Sequence, residues 1–190
     1  MGTLFVDKLD PQSGTALEIG SSGDTMTVPS GATLSIAGTI NASSGTATGF
    51  GEANTPAFHA YLSSNQTVPN NTVTKINFNT ELYDSNGCYD NSSNYRFTPG
   101  VAGKYFIYYQ LQNQNQTDYI YARIRKNGSD IQVETHYTGN DVDDTAKGFT
   151  TVDSDADDYF EIFLQQTKGS DAVVRGGDAY TFFGAFKVTS

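Results

Sequence analysis

The chain has 190 residues and a formal net charge of −10 at pH 7, with 21 acidic against 11 basic residues and a single cysteine. An acidic chain repels phosphate backbones, which argues against general nucleic-acid binding, and one cysteine excludes an intrachain disulfide framework or a cysteine zinc cluster. No apolar run approaches the roughly 18 residues of a membrane-spanning helix, so no membrane insertion is expected.

The first residues, Met1-Gly2-Thr3-Leu4-Phe5-Val6-Asp7, lack the basic region of a secretory signal, so they supply no export route. Residues 1–53 contain no Tyr, no His, no Arg and one Lys, whereas all 12 Tyr and 10 of the 12 Phe lie after position 54. Composition thus divides the chain into a segment, 1–53, and an aromatic-rich domain, 54–190. Within the segment, Leu17-Glu18-Ile19-Gly20, Met26-Thr27-Val28-Pro29 and Leu34-Ser35-Ile36-Ala37-Gly38 each place two apolar residues at spacing two, separated by Gly, Ser or Pro. That pattern predicts short half-buried strands joined by tight turns. Each buries little surface alone, so stacking on copies from neighbouring chains would complete it. A flexible linker is the alternative. Residues 43–51 show no period and are expected to be a hinge.

Longer strands follow. Residues 104–111 place Tyr105, Ile107, Tyr109 and Leu111 on one face of a strand. Residues 118–126 alternate Ile120, Ala122 and Ile124 against Tyr119, Tyr121, Arg123 and Arg125. Asn127-Gly128 then fits a type I′ turn into a strand over 131–135. Residues 159–165 and 180–188 are further strands, and helical periodicity appears nowhere. The expectation is an all-β sandwich.

Between Phe78 and Tyr109 the spacing becomes recognisable. Phe78, Asp84, Tyr89, Phe97, Gly103, Tyr105, Ile107 and Tyr109, with the closing Phe183-Gly184-Ala185-Phe186, resemble the signature of C1q-like globular domains. These share the jelly-roll fold of the tumour necrosis factor superfamily. One extra residue between Tyr89 and Phe97, and Ile107 in place of the usual Phe, are departures. The similarity covers roughly residues 56–190 and implies a trimeric jelly roll, with Phe97, Tyr105, Ile107 and Phe186 in the core. Gly103 fits a position needing φ > 0 in the turn that launches a central strand. The aromatic excess agrees with a trimer, because interfaces favour large rings. The phrasing of the first segment, in turn, resembles shaft segments of bacteriophage tail-fibre-like proteins.

Catalytic chemistry finds no support. No Gly-x-Ser-x-Gly elbow and no phosphate-binding loop is present, and His59 and His136 are isolated histidines within expected strands. Cys88 has no basic neighbour within six residues. Asp153, Asp155 and Asp157 are candidate calcium ligands, since alternate acids in a loop can wrap a hard cation, and some C1q-like trimers hold calcium near their axis. The alternative is a solvated acidic turn with Asp157 and Asp158 as turn residues. Tyr119, Tyr121, Arg123 and Arg125 form one strand face after the polar run Gln112-Asn113-Gln114-Asn115-Gln116. Such a surface suits the hydroxyls and ring faces of a glycan, and equally suits protein contacts or packing between subunits.

The two resemblances together imply a non-enzymatic homotrimeric phage virion protein. It would be a tail-fibre-like appendage whose head binds a host-surface glycan or protein, while residues 1–53 attach to other virion proteins. It would assemble in the host cytoplasm, leave by lysis and stand on the virion surface. A capsid decoration or head-fibre protein anchored by residues 1–53 is the alternative.

Overall fold

A computed structural model describes residues 21, 23–38, 54–116, 118–139 and 142–189. The chain divides into two compact units, Met1–Thr48 and Gly49–Ser190. In the first unit, tight turns fall where Gly and Pro predict them: the Ala32 N–H donates to the Pro29 carbonyl at 3.0 Å, with Gly31 at φ 83°. The short strands expected over 26–29 and 34–38 do not form in the single chain. Met26, Val28, Leu34 and Ile36 stand exposed, and the described residues of this unit hold no strand. Two apolar side chains bury too little surface to hold a strand without a neighbour. Residues 17–20 and 43–51 lie outside the described residues.

The second unit is built only of strands among the described residues. In chain order they are β1 (Ala57–Tyr61), β2 (Gln66–Val68), β3 (Thr74–Lys75), β4 (Thr80–Asp84), β5 (Tyr89–Asp90), β6 (Arg96–Phe97) and β7 (Gly103–Gln116). The remainder are β8 (Tyr119–Lys126), β9 (Ser129–Tyr137), β10 (Val142–Ser154), β11 (Phe160–Gln166), β12 (Ala172–Val174) and β13 (Phe182–Thr189). They form a seven-stranded sheet in the order β2-β12-β7-β13-β1-β4, with β10 on β7, and a six-stranded sheet in the order β5-β6-β11-β8-β9, with β3 on β11. Every pairing is antiparallel.

Period-two alternation places the core. Tyr105, Ile107 and Leu111 of β7, Ile120, Ala122 and Ile124 of β8, and Phe160, Ile162 and Leu164 of β11 are fully buried. Each large side chain so enclosed contributes about 1.5–3 kcal/mol relative to exposure. The expected turn between β8 and β9 is present, with Asn127 at φ 50° and Gly128 at φ 81°.

The signature residues brace this core. Phe78 and Phe97 are fully buried. The Tyr89 hydroxyl donates to the Phe78 carbonyl at 3.0 Å, and its ring stacks on Phe58 at 4.5 Å. Asp84 receives the backbone N–H groups of Cys88 at 2.9 Å and Tyr89 at 3.0 Å, which closes the loop between β4 and β5. The Tyr105 hydroxyl donates to the Val101 carbonyl at 2.7 Å, tying the start of β7 to the turn before it. Within that turn Gly100 takes the left-handed conformation at φ 71°, and Gly103 opens β7 with the positive φ expected of it, 156°.

Phe186 departs from expectation. It is not a core residue: β13 buries Phe183 and Ala185 and turns Phe182 and Phe186 to the other face, half-buried. The run Phe182-Phe183-Gly184-Ala185-Phe186 is apolar on both parities, so alternation could not decide which rings point inward.

Candidate functional site

Two outward faces remain once the core is filled. On the seven-stranded sheet one row runs through paired positions on five strands: Tyr83 of β4, His59 of β1, Gly184 of β13, Tyr108 of β7 and Phe149 of β10. A second row pairs Ala57, Phe186, Phe106 and Thr151. The rings touch across strands, with Phe106 5.8 Å from Phe149 and 5.4 Å from Phe186. His59 lies 5.1 Å from Phe182, and its Nδ1 is 2.9 Å from the Tyr108 hydroxyl.

Gly184 makes this contact possible. A Cβ there would stand 2.4 Å from the Tyr108 ring and 3.0 Å from the Phe58 carbonyl oxygen, so the ring crosses the neighbouring strand only over a glycine. Burial lowers the His59 pKa, partly offset by Asp178. Burial also raises the Tyr108 phenol, helped by Tyr83 beside it. Phe149 is 69% exposed at the edge of this cluster. The sequence does not reveal that these residues share an outward face, although the run Tyr105-Phe106-Ile107-Tyr108-Tyr109, apolar on both parities, carries the signal.

The six-stranded sheet presents a different face. Tyr119, Tyr121, Arg123 and Arg125 lie on it together, as the alternation of β8 requires, and with them come Phe163 and Gln165 of β11 and Tyr137 of β9. The guanidinium groups are engaged within the chain. Asp130 lies 2.6 Å from Arg125 and 3.3 Å from Arg123. Arg123 also donates to the Gln165 Oε1 at 2.8 Å, and Arg125 sits 4.3 Å over the Phe163 ring. The tyrosines cluster at the other end of the strand: Tyr119 is 6.0 Å from Tyr121 and 4.9 Å from Tyr137.

The acidic loop does not bring the expected calcium ligands together. Asp153, next to last in β10, pairs with Lys104 at 2.6 Å, while Asp155 and Asp157 are exposed. Among the described residues, no three His, Cys, Asp or Glu side chains converge as ligands. Asp158 instead organises the turn, accepting from the Asp155 N–H at 2.7 Å and from Asn127 at 2.6 Å beside Lys126 at 2.7 Å. Burial alone would raise its pKa, but these donors hold it down to about 2. A polar cavity of about 360 Å³ lies here, lined by Lys104, Lys126, Asp153 and Asp155, and Asp153 in it is already paired with Lys104.

The remaining reactive groups are structural. Cys88 is buried. Burial and the neighbouring Asp84, to which its Sγ donates at 3.1 Å, push the thiol pKa far up. His136 contacts Glu134 at 3.0 Å and Asp144 at 3.6 Å through opposite ring nitrogens, which joins β9 to β10.

Residues 57–188 match the family model described as C1q domain. Among curated proteins none matches the sequence. Solved structures share the fold at low identity. The chain is similar to the globular domain of zebrafish complement 1qA at 15% identity and TM-score 0.53, covering 70% of this chain and 96% of that one. Murine APRIL aligns at 11% identity and TM-score 0.54, covering 70% and 99%. Eiger TNF from S. frugiperda aligns at 13% and 0.53, covering 70% and 92%.

Proposed function

The chain belongs to the C1q domain family, and from that premise we propose that it is a non-enzymatic homotrimeric appendage of a phage virion, whose head engages a host-surface receptor. The observation that carries the reading is the continuous aromatic face on the seven-stranded sheet. Phe106, Tyr108, Phe182 and Phe186, half-buried, and Phe149, exposed, form one patch on the surface of a lone subunit. Three copies closing these faces on a shared axis would bury it. The six-stranded sheet would then point outward, so that the face on which Arg123 and Arg125 are held by Asp130 offers Tyr119, Tyr121 and Tyr137 to a receptor. Residues 1–53 would attach to other virion proteins, and stacking of three copies would supply the partner surface that 26–29 and 34–38 lack alone. Several heads on one particle convert weak contacts into avidity.

Labelling the head on intact particles tests the placement. Label confined to the tail supports the proposal, and uniform label over the shell overturns it in favour of a decoration protein. Recombinant chain should also compete with particles for adsorption to host cells.

A further inference from the structure

Resting on the receptor-binding reading above, we propose that Tyr119, Tyr121 and Tyr137 are the stacking platform of a binding site for an uncharged oligosaccharide. Arg123 and Arg125 brace the sheet rather than touch the ligand. The side-chain chemistry of the six-stranded face decides the ligand class. Arginines recognise anionic sugars by presenting their forked donors to carboxylate or sulfate. Here both guanidinium groups converge on one carboxylate, Asp130. Arg123 spends further donors on Gln165 and on the Tyr121 carbonyl, at 2.8 and 3.2 Å. Arg125 sits 4.3 Å over the Phe163 ring. Their side chains are only 13% and 24% exposed, so little of either fork faces solvent. A net charge of −10 per chain opposes an acidic polymer further.

At the tyrosine end of the strand the most exposed side chains are aromatic. Tyr137 is 65% and Tyr119 42% exposed, and three rings lie within 6.0 Å of a neighbour in the cluster. Thr135, paired with Tyr121 across the strands, and Thr167, whose hydroxyl reaches the Tyr119 carbonyl at 3.4 Å, flank them. Aromatic faces pack against the C–H faces of sugar rings, and phenol and threonine hydroxyls exchange hydrogen bonds with sugar hydroxyls. The platform lies on an open sheet face rather than in an enclosed cavity, which suits a chain laid across it.

The test titrates the full-length chain, followed by NMR of the tyrosine rings, with neutral hexaoses of glucose and of mannose, a sulfated oligosaccharide, a sialylated oligosaccharide and choline. A neutral hexaose is expected to shift the Tyr119 and Tyr137 signals, with binding unchanged across an about tenfold range of salt. Tyr137→Ala and Tyr119→Ala should each weaken it by about tenfold while the oligomeric mass stays constant, and Tyr137→Phe should retain most of it. Absence of binding to every neutral hexaose overturns the proposal, as does tighter, salt-sensitive binding of the charged sugars or of choline. Adsorption competition separates the two levels. Competition that survives both alanine variants overturns the platform but keeps the receptor reading, whereas no competition by the wild-type chain overturns the receptor reading itself.

Discussion

His59 is the titratable residue at the centre of the outward aromatic row. Burial holds its imidazole below the ordinary value of 6.5, partly offset by Asp178. The unfolded chain therefore takes up the proton first as the pH falls. The stability carried by the neutral ring is complete above 6.5 and is lost as the pH drops through the lower folded value. Denaturant midpoints measured between about pH 7.5 and about pH 5 should decline, and His59→Gln should flatten that decline. Asp84 acts lower on the scale. Burial would raise its carboxyl, but the N–H groups of Tyr89, Cys88 and Asn86 hold it below the ordinary 3.8. Its contribution is present above 3.8 and disappears as the pH falls through the depressed value. Removing the acceptor strands the buried ends of a loop, so Asp84→Ala should lower stability by about 1–2 kcal/mol at neutral pH, read from a denaturation midpoint.

At the scale of elements, glycines set how two strands carry rings. Gly184 of β13 lies under Tyr108, and Gly148 of β10 lies under Tyr109, where an added Cβ would stand 2.5 Å from the ring. Gly184→Ala should cost about 1–3 kcal/mol by overpacking and should also loosen the contact between His59 and Tyr108, which thermal unfolding would report. The same glycine explains what was legible in the sequence. The strands β7 and β8 declare themselves because large apolar residues alternate with polar or smaller ones, and the Asn127-Gly128 turn fixes their continuation into β9. The 13-residue β10 did not. Its inward positions include the small residues Ala146 and Gly148, the latter with the Tyr109 ring filling the space above it, so no apolar period remains to be read. Phe186 was misassigned for the opposite reason, since β13 is apolar on both faces. In the acidic loop, counting carboxylates could not foresee that Lys104 and Lys126 would pair with Asp153 and Asp158. The Tyr119 to Arg125 face was legible from parity alone. Tyr137 joined it only through the pairing of β9, and Asp130 revealed how the arginines are held.

For the whole molecule, the proposed function divides the work between the two outward faces: self-association for the apolar one, a ligand for the polar and aromatic one. With −10 charges on each chain, association must come from the apolar face rather than from opposite charges. Phe149 stands at its exposed rim, so Phe149→Glu should leave each sandwich folded while placing three like charges into the shared contact. Light scattering on the full-length chain across micromolar concentrations tests the assembly most directly. The account predicts a mass three times the 20.5 kDa of one chain, falling to that of one chain for Phe149→Glu with an unchanged β-sheet spectrum. A wild-type mass of 20.5 kDa throughout that range would contradict it.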